Sequence, residues 1–317
     1  MNKLTQQSVQ YITVDPEHAG QRLDNFLRTR CKDLPKSHLY RIIRKGEVRV
    51  NKKRADPDQR LASGDIVRVP PLKLGVATVV TPKVNQVKAL EQQILYEDNG
   101  LLVVNKPSGL AVHGGSGISL GVIETLRAAR SQQKYLELVH RLDRDTSGCL
   151  LIAKKSSVLR ELHELLRSGK VTKTYLMLVQ GAWPAHIKEI KAALQKNQLQ
   201  SGERMVNVHE EGKESHTRFK IVEKFPQATL VEAQPLTGRT HQIRVHALHA
   251  GHAIIGDEKY GDKDINKIFK AYGCHRLFLH AYSLKFTLPM TGQSIVVTAD
   301  LPNDLEKCLM VLRKMNH

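Results

Sequence analysis

Apolar residues between positions 20 and 73 fall in two clusters with helical spacing, Leu23-Phe26-Leu27 and Leu39-Ile42-Ile43. Ser37 is expected as the N-cap of the second helix and Gly46 as its C-terminal stop. Val48 and Val50 then alternate with polar residues. After NKKRADPD, the run Ile66, Val67 and Val69 follows Gly64-Asp65. The pattern predicts two short helices and then a small sheet. From Pro70 to about Lys88, PPLKLGVATVVTPKVNQVK contains three prolines, no acids and no clean period, so it reads as a partly extended linker with room for one strand.

Downstream the period changes. Strand-like runs occur at 94–98 (ILYED), 101–107 (LLVVNKP), 136–142 (LELVHRL), 149–155 (CLLIAKK), 174–181 (TYLMLVQG), 218–225 (RFKIVEKF) and 228–236 (ATLVEAQPL). A helix is predicted over 156–168, capped by Ser156 or Ser157 and stopped by Gly169, and another over 239–250 before Gly251. Strands outnumber helices and often follow one another directly. The expected class is α+β with a mixed, mostly antiparallel sheet. The predicted organisation is a small domain over 1–80, a linker over 81–90 and a large domain over 91–317.

Charge narrows the choice of partner. The 317 residues carry 49 Lys and Arg against 31 acids, a net of +18, with 41% hydrophobic residues. Residues 20–73 hold 15 basic and 6 acidic side chains, so half of the net charge lies in about a sixth of the chain. A field of this sign favours a polyanion. No apolar run approaches the ~18 residues of a membrane span, and MNKLTQQSVQYITV lacks the apolar stretch of a secretory signal. Cys31, Cys149, Cys274 and Cys308 are scattered and form no CxxC pair, which argues against a zinc knuckle and against a disulfide framework. A reducing cytoplasm fits, with no membrane partner and no metal.

Several motifs are weaker than they look. GISLG (117–121) has the spacing of a nucleophile elbow, and HGG (113–115) that of an oxyanion loop, but no β-α alternation surrounds them. HELLR (163–167) lacks the second histidine of a zinc helix. His241, His246, His249 and His252 lie on or near one helix without a carboxylate or thiolate ligand, which favours hydrogen-bonded packing or nucleic-acid contact over metal. With no Walker A loop and no GxGxxG behind a strand, no nucleotide cofactor is implied.

The most informative stretch is HRLDRDTSG (140–148), a knot of charge between two apolar runs. Unpaired charge at the edge of a core is costly, so such a knot is a salt-bridged turn or a working site. Asp143 at a strand end beside an arginine would stay ionised, the form a nucleophile needs. Arg239 or Arg244 of TGRTHQIRVH (237–246) can supply that arginine, and KTY (173–175) adds an aromatic ring suited to stacking on a base. Spacing alone leaves the structural and the catalytic reading open.

Two resemblances go further. RLDNFL (22–27), SHLYRIIRKGEVRVN (37–51) and LASGDIVRV (61–69) together resemble an S4 RNA-binding domain. That likeness implies RNA contact from Arg41, Arg44, Lys45, Lys52, Lys53 and Arg54 on the second helix and the following loop. HRLDRDTSG, the upstream VVNKPSGLAVH (103–113), KTYLMLVQG and TGRTHQIRVHALHAGHAIIGDEKYG (237–261) resemble the RluA family of pseudouridine synthases, in the family's order. The resemblance implies isomerisation of uridine in RNA, without cofactor or metal. It makes Asp143 the catalytic carboxylate, acting by covalent attack or through loss of a C2′ proton. It implies that Tyr175 stacks on the flipped base, that Arg244 pairs with Asp143, with Arg239 as the alternative, and that Arg141 fills the vacated space. His140 joins Arg141 in the RNA-binding set, Asn105 and Lys106 are expected at the edge of the site, and Asp145 is expected to be structural. The S4 extension points to large-subunit (23S) ribosomal RNA, and a monomer is the default expectation. A transfer RNA substrate and a non-catalytic RNA-binding factor are the alternatives.

Overall fold

The computed structural model describes residues 8–31, 34, 36–72, 82–114, 120–198 and 204–315. The chain divides into two compact units, Met1–Val80 and Thr81–His317.

In the first unit, strand β1 (Gln10–Thr13) precedes helices α1 (Leu23–Arg30) and α2 (Lys36–Arg44), then β2 (Arg49–Val50), β3 (Lys53–Arg54) and β4 (Ile66–Val69). The sheet order is β1-β4-β2-β3, and all its pairs are antiparallel. Leu23, Phe26, Leu27, Leu39, Ile42 and Ile43, the helical repeat of the sequence, are buried together with Val48, Val50, Val67 and Val69. Helix α2 begins at Lys36, so Ser37 lies inside its first turn and is not its cap. The buried Asp24 carboxylate joins the two helices. It accepts from Arg22 Nη2 at 3.0 Å and from the Tyr40 hydroxyl at 2.6 Å. Asn51 and Lys52, both at positive φ (49° and 67°), make the two-residue turn between β2 and β3, whose twist suits a tight hairpin.

The second unit opens with α3 (Val84–Glu91). This is a correction, because 81–90 was expected to be linker. The helix starts after Lys83, its N-cap, and buries Leu90, while Arg130 grips both Glu91 oxygens at 2.7 and 2.8 Å. One buried residue in eight leaves no apolar period to read. The chain continues through β5 (Ile94–Glu97), β6 (Leu101–Lys106), α4 (Val122–Ala129), β7 (Glu137–Leu138), β8 (Ser147–Ala153), α5 (Ser156–Arg167) and β9 (Thr172–Gln180). Then come β10 (Glu189–Lys191), β11 (Leu194–Gln198), β12 (Arg204–Val208), β13 (His216–Lys224), β14 (Ala228–Pro235) and α6 (Gln242–His249). Helix α7 (Lys263–Ala271), β15 (Leu279–Thr287), β16 (Ser294–Thr298) and α8 (Asn303–Met315) complete it.

The main sheet runs β10-β13-β14-β9-β15-β8-β6-β5, with β16 added to β15 and β7 to β8. Its pairs are antiparallel except β8 with β15. The expected α+β class with a mostly antiparallel sheet is therefore found. Strands β6 and β8 are covered on both faces. Leu102, Val104, Leu150 and Ile152 face one core, and Leu101, Val103, Cys149, Leu151 and Ala153 the other. That two-sided burial is why both segments read as unbroken apolar runs. The strand expected over 136–142 pairs only at Glu137–Leu138, after which the chain turns out toward Asp143.

Candidate active site

The site forms where β8 begins beside β15. Gly148 sits at φ 107°, and a Cβ there would lie 2.2 Å from the Ala281 carbonyl oxygen, so only glycine allows the parallel approach of the two strands. The neighbouring Ser147 is fixed by His280. His280 Nε2 donates to the Ala299 carbonyl at 2.9 Å, which leaves Nδ1 to accept from the Ser147 hydroxyl at 2.9 Å. Arg276 donates to Ser147 Oγ at 3.3 Å and is held by Asp304 of α8.

The loop over 143–146 is anchored from below by Lys106. Its ammonium is fully buried and donates to the carbonyls of Pro107, Leu110 and Arg144 at 2.8–2.9 Å. Burial brings this amine down to about 7, against the upward pull of Asp145 and Asp143. Lys106 therefore supports the loop from inside and does not stand at its rim to meet RNA, which corrects the expectation. Asn105, on the same strand, is half-buried opposite Cys149.

Helix α6 brings the partner of Asp143. Its seating is set by a buried polar lattice in which Ser215 Oγ donates to the Ala192 carbonyl (2.6 Å) and lies 2.8 Å from His246 Nε2. His246 Nδ1 lies 2.9 Å from Thr217 Oγ1, which also receives the Gln242 amide at 2.9 Å. Burial pushes the His246 imidazole down to about 4, so it is a neutral packing residue. On the same helix, buried Arg244 forks onto Asp257 through Nε (2.7 Å) and Nη2 (2.8 Å). Its remaining nitrogen, Nη1, donates to Asp143 Oδ2 at 3.4 Å. Burial alone would raise the Asp257 carboxyl, but the Arg244 hydrogen bonds outweigh it and hold the group ionised; backbone N–H groups of Lys259 and Tyr260 add to this. The Arg244 guanidinium is likewise opposed by burial yet raised by Asp257.

Arg244, not Arg239, thus stands beside Asp143. Helix α6 starts only at Gln242, which leaves Arg239 exposed ahead of it, donating to the Glu214 carbonyl at 3.0 Å. The sequence reading missed Asp257, which lies within the quoted GDEKYG but carries no pattern of its own. His241 was read only within the histidine group, not as a neighbour of Asp143. This residue precedes α6 at φ 52°, with Nε2 3.9 Å from Asp143 Oδ2 and Nδ1 2.8 Å from the Tyr260 hydroxyl.

Tyr175 lies on β9 opposite Ala281, with its ring buried. Burial first, and the Asp143 charge second, raise its phenol well above the ordinary value, so it stays protonated. Arg141 is exposed and lines a cleft of about 330 Å³ together with Arg239 and the β11–β12 hairpin. His140 is not a free cation. Its Nε2 accepts the Leu151 N–H at 3.1 Å, and burial, aided by Lys173, brings it down to about 4. It is a neutral strut for β8, not a charge for phosphate. Arg144 pairs with Asp145 at 3.1 Å at the surface. In the first unit Arg41, Arg44, Lys45, Lys52, Lys53 and Arg54 are all exposed, and Arg54 donates to the Arg44 carbonyl.

The weak motifs resolve in part. Residues 115–119, which include most of GISLG, lie outside the described residues. Gly121 begins α4, with Glu124 accepting its N–H and that of Gly114 at 2.9 Å. His163 of HELLR contacts the Val139 carbonyl at 3.1 Å. Among the described residues no cluster of three or more His, Cys, Asp or Glu is placed to hold a metal, and no helix is long and apolar enough to cross a membrane.

A carboxylate faced by a buried, doubly anchored guanidinium, near a protonated phenol, thus lies within a strongly basic chain. The family model for RNA pseudouridylate synthase matches residues 100–249, which contain Asp143, Tyr175 and Arg244, and that for the S4 domain matches residues 21–67. Ribosomal large subunit pseudouridine synthase C of Yersinia pestis is 58% identical over 308 residues, 96% of each chain. The protein of that name in Escherichia coli K12 is 55% identical over 310 residues, 96% of this chain and 97% of its own. Among solved structures, human RNA pseudouridylate synthase domain containing 4 aligns with a TM-score of 0.59 at 25% identity, over 72% of this chain and 96% of its own. The chain belongs to the RNA pseudouridylate synthase family and is an enzyme of that class, with an S4 domain at its N-terminus.

Proposed function

We propose that the protein converts uridines of large-subunit ribosomal RNA to pseudouridine, with Asp143 as the catalytic carboxylate. The substrate follows from the names of relatives more than half identical over nearly the whole chain. The role of Asp143 rests on one observation: both nearby donors, Arg244 Nη1 and His241 Nε2, converge on Oδ2. Oδ1 has no protein donor among the described residues and keeps its lone pairs for the nucleotide.

The chemistry breaks the N1–C1′ bond and makes a C5–C1′ bond, with the C5 proton leaving and N1 gaining one, so composition is unchanged. Asp143 serves by attacking C1′ or by taking the C2′ proton. Arg244 orients the carboxylate, because its other two nitrogens are locked on Asp257. Tyr175, its phenol protonated, provides a face on which the detached base turns. The target must leave its stack to reach this depth, at a cost of a few kcal/mol that favours loops over duplex. On this reading Arg141, exposed two residues before Asp143, fills the gap. The basic residues of the S4 domain supply phosphate contacts that give affinity and position. The protein works as a cytoplasmic monomer on this reading.

Large-subunit RNA transcribed without modifications, incubated with wild type or Asp143→Asn and read by carbodiimide labelling with primer extension, tests the proposal. Discrete stops with wild type, none with the variant and unchanged RNA affinity are expected. Stops that persist in Asp143→Asn would remove Asp143 from the chemistry. Modification of transfer RNA alone would replace the substrate.

A further inference from the structure

The β11–β12 hairpin is wired to the catalytic carboxylate. The Val206 N–H donates to the Tyr260 hydroxyl at 3.0 Å, and that oxygen lies 2.8 Å from His241 Nδ1. The Val206 N–H can only donate, so among the described residues Nδ1 is the acceptor that the structure gives the phenol's own proton. The imidazole proton is then on Nε2, which faces Asp143 Oδ2 at 3.9 Å. Burial lowers the His241 imidazole, which keeps the ring neutral and this tautomer in place. The Tyr260 ring is itself fixed, under the Arg244 guanidinium at 4.9 Å and edge-on to His241.

Two further observations give the wiring a purpose. His241 adopts the left-handed conformation, which is unfavourable for a residue with a Cβ and clusters at functional sites. The hairpin end of the chain of contacts opens onto the cleft. Leu194 and Val206 are its apolar lining, and Arg141, Lys196, Lys213 and Arg239 outnumber the single acid, Glu211, among its charged lining residues. Leu194, Val206, Val245 and Tyr260 pack as one cluster, so pressure on the apolar lining reaches Tyr260 directly. At 3.9 Å, His241 and Asp143 are in range for attraction but beyond hydrogen-bond length.

We propose that His241 is a positioning residue for Asp143, brought into hydrogen-bond contact with Oδ2 when an RNA segment fills the cleft against the β11–β12 hairpin. The inference rests on the function proposed above. RNA bound in register then completes the alignment of the carboxylate, and RNA bound elsewhere leaves it loose.

Single-turnover rates at saturating large-subunit RNA, together with RNA dissociation constants, are to be compared for wild type, Tyr260→Phe, His241→Asn and the double variant. Asparagine tolerates the left-handed backbone, and phenylalanine keeps the packing of the ring. Tyr260→Phe is expected to slow the bound step about tenfold and His241→Asn about a hundredfold, the scale of a displaced reacting group. The double variant should match His241→Asn, because both act through one ring, and affinities should stay within about twofold. Asp143, Arg244, Lys259, Asp257 and Tyr260 all bear electrostatically on the His241 ring. Loss of the phenol donor favours protonation of Nδ1, so the acid limb of the rate profile should move to higher pH in Tyr260→Phe. A wild-type rate and profile in Tyr260→Phe, losses that multiply in the double variant, or an effect on affinity alone would overturn the inference while leaving the function standing. Absence of pseudouridine with wild type on any RNA would overturn the function, and this inference with it.

Discussion

Arg244 carries the electrostatics of the site, and it does so because Asp257 neutralises it inside the protein. A buried pair adds modest net stability, but removing one member leaves an uncompensated charge, at a cost of about 3–5 kcal/mol. Asp257→Asn keeps the shape and removes the charge. Urea unfolding should show a loss of that order, and turnover should fall because the guanidinium loses its anchor and swings from Asp143. The pH dependence has a defined sign. The Asp257 carboxyl is depressed in the folded protein, so its contribution is present above the ordinary carboxylate range and fades as pH falls through the folded value. Wild type should therefore lose stability on the acid side more steeply than Asp257→Asn; equal slopes would remove the pair from the account. Spacing alone offered Arg239 and Arg244 without ranking them, and only the family resemblance put Arg244 first. What separates them is where α6 starts, and that depends on the left-handed His241, which no local propensity encodes. Asp257, 13 residues beyond Arg244, was invisible because only the fold makes it a partner.

Elements with two buried faces were legible as continuous apolar runs, and both β6 and β8 were placed to within two residues. Elements held by few side chains were not. Helix α3 buries Leu90 alone in the core and leaves no period to detect, and the strand read over 136–142 pairs only through the two residues of β7. The parallel contact of β8 with β15 was also beyond reach, although Gly148 marks it. Gly148→Ala meets both the left-handed backbone penalty and the Ala281 carbonyl 2.2 Å from the new Cβ. Overpacking and backbone strain together should cost roughly 3–5 kcal/mol. Thermal unfolding of the full chain measures it. Because Ser147 and Asp143 sit on the displaced segment, the single-turnover rate should drop in whatever fraction stays folded. A variant with wild-type stability and rate would mean that the two strands have room to separate without consequence.

At the scale of the whole molecule, charge and chemistry are assigned to different parts of the chain. Residues 20–73 carry half of the +18 net charge, and Arg41 and Arg44 on α2 and Lys52, Lys53 and Arg54 at the β2–β3 turn are exposed. Composition made that division readable, since a basic surface needs no tertiary contact to declare itself. Around Asp143, by contrast, Lys106 and His140 are basic yet committed to backbone partners, and counting charges cannot tell them from the exposed set. Burial decides which cations are available to RNA, and this predicts a separable effect. Each phosphate contact contributes about 0.7–0.9 to the slope of log affinity against log salt. In the full-length protein, Lys52→Ala with Lys53→Ala should lower that slope by roughly 1.5. The single-turnover rate at saturating RNA should stay near wild type, because neither residue belongs to the carboxylate site. A slope that does not change would mean that the β2–β3 turn is a solvated surface and that phosphate is held elsewhere. A fall in the saturated rate would instead tie the turn to the chemical step, making the first unit part of catalysis as well as of binding.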